Sequence, residues 1–74
     1  MTTSQQDVFD VLAKHGPMSD QALVPLAQHM GSVHQSSSGI RTRRAELVRL
    51  GRIQQVGTMR LPSGRGAAVW AVKK

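Results

Sequence analysis

Apolar positions along the chain recur first with a helical period and then with an alternating one. Val8, Phe9, Val11 and Leu12 form a stripe that predicts a first helix over about residues 4–15. Ser4 with Asp7 three residues on resembles a capping box, with Asp in place of Glu or Gln. Lys14 and His15 suit the last turn, and Gly16-Pro17 ends the helix. Leu23, Leu26, Ala27 and Met30 predict a second helix over 19–30, capped by Ser19, with Asp20 in its first turn. Pro25 falls inside it, where proline removes a backbone hydrogen bond, so a kinked helix is expected, or two short turns. The polar segment Gly31–Ser36 reads as a turn, with Val33 expected to anchor in the core.

The third helix, about 38–50, carries Ile40, Leu47 and Leu50 on one side and Val48 at the edge. Ser37 or Ser38 is expected to cap it, and Gly51 to stop it in the left-handed conformation. Ser38, Arg41, Thr42, Ala45 and Arg49 fall on the opposite side. The period then changes. Residues 52–60 read as a strand with a bulge at Gly57, Pro62-Ser63-Gly64 as a turn, and 66–72 as the returning strand. Trp70 alternates with Ala68 and Val72, which predicts a core position, and Lys73-Lys74 reads as a frayed tail. Such a hairpin is weak alone and must pack on the helices.

Length allows one domain, residues 1–74, with a small core. The sequence has no cysteine, which excludes disulfides and thiolate-held metal. It has no apolar run long enough for a membrane span, and its first residues lack a signal-peptide pattern, so a cytoplasmic location is expected. Charge changes the picture more. Residues 1–40 hold Lys14 against Asp7, Asp10 and Asp20, a net −2, while residues 41–74 set nine Lys/Arg against Glu46, a net +8. The basic part is dominated by arginine, the bidentate donor, which favours a polyanionic partner over a merely solvated surface.

Catalytic arrangements are missing from the pattern. The four acids make no pair, His29 and His34 have no third ligand nearby, and no glycine-rich phosphate loop joins a strand to a helix. No enzyme activity, cofactor, metal or small-molecule substrate is expected.

The run Arg41-Thr42-Arg43-Arg44-Ala45-Glu46-Leu47-Val48-Arg49-Leu50-Gly51, a short strand, then Leu61-Pro62-Ser63-Gly64-Arg65 and Val69-Trp70 resemble the winged helix-turn-helix family. They are similar to small winged-helix proteins of actinobacterial phages and mobile elements. The resemblance covers roughly residues 4–72 and implies an α+β fold of three helices followed by a two-stranded wing. It implies the third helix as recognition helix and the Arg60–Arg65 loop as wing.

On a recognition helix, N-terminal residues reach base edges in the major groove. Arg41 is then the candidate for guanine, Thr42 for a base or phosphate, Ala45 for a thymine methyl and Arg49 for a phosphate. Ser37 and Ser38 suit a phosphate at the helix N-terminus. Arg60, Ser63 and Arg65 suit the backbone or minor groove. Arg43 and Arg44 flank the apolar stripe and read as structural, Arg43 pairing with Glu46 or with an acid of the first helix.

The function expected is sequence-specific binding of double-stranded DNA by a small transcriptional regulator, with a homodimer or second protein needed for useful specificity. The alternative is a protein-interaction module that uses its basic face on host transcription machinery.

Overall fold

The structure is a computed structural model, and it describes residues 1–73. Helix α1 spans Thr3–His15, strand β1 Met18–Ser19, α2 Asp20–Met30, α3 Ser37–Arg49, β2 Ile53–Arg60 and β3 Gly66–Val72. Three helices and a three-stranded antiparallel sheet make a small α+β domain. Its core is one cluster: Val8, Val11 and Leu12 from α1, Leu23, Val24 and Ala27 from α2, Ile40 and Leu47 from α3, and Ile53 from β2. Phe9, Met18, Trp70 and Val72 pack around its edge.

The caps differ from the expected ones by a residue or two. Thr2, not Ser4, begins α1: its hydroxyl accepts from the Gln5 N–H, and the Gln5 side chain accepts from the Thr2 N–H, a complete capping box. Ser36 begins α3 and accepts from the Gly39 N–H at 3.1 Å, so Ser37 and Ser38 lie in the first turn instead of capping it. Ser19 precedes α2 but makes no side-chain cap. Helix α2 runs through Pro25 as one element, not two turns, with Pro25 exposed to solvent. Helix α3 ends as predicted. Gly51 has φ +74°, its N–H bonds to the Val48 carbonyl, and the Arg52 N–H bonds to the Leu47 carbonyl. That is the paired closure that a left-handed glycine permits.

The sheet order is β1–β3–β2. The hairpin register runs from Ile53↔Val72 to Arg60↔Gly66 and shifts between Gln55 and Gly57, where the bulge was predicted. Its tip is closed by the Gly64 N–H on the Leu61 carbonyl, with Gly64 at φ +90°. Strand β1, which joins the edge through Met18↔Trp70 and Ser19↔Val69, corrects the two-stranded expectation. Two residues are too few to display an alternating pattern.

Four apolar positions depart from the expected core. Leu50 is 59% exposed because α3 ends before it and the chain turns away at Gly51. Val33 is 38% exposed, and Gln35 is buried in that loop, its amide donating to the Ser4 carbonyl. Met30 is exposed at the end of α2, with its sulfur 3.1 Å from Nε2 of His15. Trp70 is half-buried at the rim of the core, because its ring is covered on one face by Arg44. The backbone of Lys73 is held by the Arg52 carbonyl and is not frayed; Lys74 lies outside the described residues.

Candidate nucleic-acid interface

Helix α3 presents three distinct faces. Ile40 and Leu47 are fully buried and fix its inner side. Directly opposite, at the spacing of a helical strip, lie Ser38, Thr42, Ala45 and Arg49. All of these are exposed except Ala45, which is half-buried. The Thr42 hydroxyl donates to the Ser38 carbonyl at 2.9 Å, which leaves its lone pairs free to accept. Arg41 sits on the flank nearer the hairpin, roughly 100° around the helix from Ile40.

Arg43 and Arg44 are taken up within the molecule. Arg43 donates to Glu46 at 3.2 Å, and Glu46 also accepts from the Gln5 amide, which ties α3 to α1. Arg44 forks onto Asp20, with Nε on Oδ1 at 3.0 Å and Nη2 on Oδ2 at 2.8 Å. Its guanidinium lies 4.1 Å from the centroid of the Trp70 ring. The expectation that both are structural therefore holds, although the acid that Arg44 finds is on α2.

Between α3 and the hairpin runs an open groove of about 540 Å³, lined by Asp20, Gln21, Arg41, Arg44, Leu61, Ala67, Ala68 and Trp70. The groove brings Arg41 to the turn end of the hairpin. Arg60, Ser63 and Arg65 are exposed at and beside the hairpin tip, while Ser37 and Ser38 are exposed at the start of α3. Arg52 is an exposed arginine that sequence reasoning left out; its position just after Gly51 was the available signal.

The acids are used elsewhere. Asp7 accepts from the Ser32 hydroxyl at 2.8 Å and the Val33 N–H at 3.2 Å, and Asp10 accepts from Gln6. Burial pushes the Asp7 carboxyl up, but the bonds from Ser32 and Val33 outweigh it and hold its pKa below the ordinary aspartate value. Asp20 and Glu46 are held by Arg44 and Arg43. Among the described residues, Arg41, Arg49, Arg52, Arg60 and Arg65 are all exposed and none forms an ion pair. No group of His, Asp or Glu among the described residues is arranged to hold a metal, and no helix is long and apolar enough to cross a membrane.

Comparison with known proteins returned no match: no family model fits the chain, and no curated sequence or solved structure matched it.

Proposed function

We propose that this protein binds double-stranded DNA as a small winged-helix regulator, with α3 in the major groove and the β2–β3 hairpin as a wing on the backbone or minor groove. One observation carries the reading: Arg41, Arg49, Arg52, Arg60 and Arg65 are exposed without acidic partners, on α3, at its end and on the hairpin. Every acid lies in an internal contact. Unneutralised arginine spread over a helix and a hairpin gives two cationic elements for one duplex. The outer strip of exposed Ser38, Thr42 and Arg49 with half-buried Ala45 carries small and hydrogen-bonding groups suited to base edges. Ser37 and Ser38, with the free N–H groups of the first turn, suit a phosphate, as do Arg60, Ser63 and Arg65. A small phage or mobile element is the proposed setting, on the resemblance alone.

The test is a salt titration of binding to random duplex DNA. If all five arginines engage phosphates, the plot of log K against log salt has a slope of about −4 to −5. The Arg41→Ala, Arg65→Ala double variant is expected to flatten that slope by about 2. Unchanged DNA binding in the double variant, or no salt-dependent binding by the native chain, overturns the reading. Binding to an acidic protein with no affinity for DNA would replace it with the protein-interaction alternative.

A further inference from the structure

The start of α2 and strand β3 converge on Arg44, in the middle of α3. Its fork holds both carboxylate oxygens of Asp20, the first residue of α2, and its plane lies against the ring of Trp70 in β3. Trp70 is in turn paired across the sheet with Met18 on one side and Gln55 on the other. The side chains of Arg44 and Asp20 are only 17% and 23% exposed, so the pair is largely shielded from water. The same groove wall carries Arg41, one helical turn back, and reaches Leu61 at the base of the hairpin turn. A planar guanidinium is rigid and directional, so this contact sets a spacing as well as a charge balance.

The geometry points to Arg44 as a positioning residue: by bracing α3 against α2 and β3, it fixes the gap between the helix and the hairpin, and so sets how sharply the protein discriminates among DNA sequences. This rests on the DNA-binding reading above. Arg44 acts here through its neighbours: two of its donors, Nε and Nη2, are engaged by Asp20, and one face of its guanidinium lies over Trp70. Lysine in its place keeps the charge but offers neither the fork nor the flat stacking surface. Discrimination demands that both cationic elements meet the duplex in register, whereas attraction to phosphate does not.

The experiment begins by selecting bound sequences from a random duplex pool with the native chain. Affinities for the selected and for random duplexes are then measured for the native chain, Arg44→Lys and Asp20→Asn, at one salt concentration. Hydrogen exchange of the β2–β3 amides is followed without DNA. The expected result for Arg44→Lys is affinity for random DNA within about twofold of native, a preference for the selected sequence reduced by about tenfold, and faster exchange in the hairpin. Asp20→Asn keeps the stack on Trp70 and cuts only the charge-assisted fork. It is expected to show a smaller loss in the same direction, and it serves as the deciding variant if Arg44→Lys does not fold. A native chain that discriminates, with variants that discriminate equally well, overturns the positioning role and leaves the DNA reading standing. A native chain that enriches no sequence overturns the positioning role, whereas the DNA reading falls only if the native chain also shows no salt-dependent affinity for random duplex, so the two failures are told apart by the native chain alone.

Discussion

Asp7 does at residue scale what a capping group does for a helix. It is buried to 9% exposure between α1 and the loop that leads to α3, and it takes the Val33 N–H and the Ser32 hydroxyl. Its folded pKa lies below the unfolded value, so the contribution to stability is present above about pH 4 and is lost as pH falls through the folded value. Asp7→Asn is expected to lose less stability than the native chain between pH 5 and pH 2.5, as read by urea melts at each pH; equal losses would refute the assignment. Asp7→Ala at neutral pH leaves the Val33 N–H without its partner and is expected to cost about 1–3 kcal/mol. Gly51 is the other decisive single residue. Any side chain there must adopt φ +74°, so Gly51→Ala is expected to cost about 1 kcal/mol, visible as a lower Tm.

At the scale of the element, α3 separates roles that its sequence mixes together. Its arginines follow one another closely, but the wheel sends Arg43 toward Glu46, Arg44 toward Asp20 and Trp70, Arg41 to the groove and Arg49 to solvent. The start of the helix is as discriminating. The hydroxyl of Ser36 caps it, whereas Ser37 and Ser38 are exposed in the first turn. Ser36→Ala is therefore expected to cost about 0.5–2 kcal/mol, while Ser37→Ala has little effect on folding. Thermal melts of the two single variants read this directly, and equal losses would contradict the cap. Three serines in a row give a sequence reader no means of choosing, because the choice depends on which residue first leaves helical geometry. The hairpin was more legible: its bulge and its proline–glycine turn are local features that need no partner to be recognised.

For the whole molecule, the small core sets the margin. A chain of this length buries only about 60% of its unfolded surface. Leu47 is completely buried where α3 meets the core. Leu47→Ala is expected to cost about 3–5 kcal/mol, comparable with the stability of so small a domain, and to leave much of the protein unfolded at 37 °C by circular dichroism. Charge is partitioned at the same scale. The four acids satisfy the loop, α1 and two arginines of α3, so among the described residues Arg41, Arg49, Arg52, Arg60 and Arg65 are left exposed with no ion pair.

Periodicity alone determined the three helices, the hairpin and most of the buried stripe, because an amphipathic face and a turn residue are written in a few neighbouring positions. The wheel also put Arg41, Thr42 and Arg49 on the outer side of the third helix, and the resemblance, not the period, singled out Arg60 and Arg65 beside the turn; all five are exposed. Only the tertiary structure decided that Leu50, Val33 and Met30 lie outside the core, since burial depends on where a helix ends and what stands opposite. It alone supplied the third strand, because Met18 and Ser19 become a strand only when Trp70 and Val69 lie beside them. It alone joined Arg44 to Asp20 and Trp70, residues far apart in the chain whose charge and aromatic ring carry no local sign of one another.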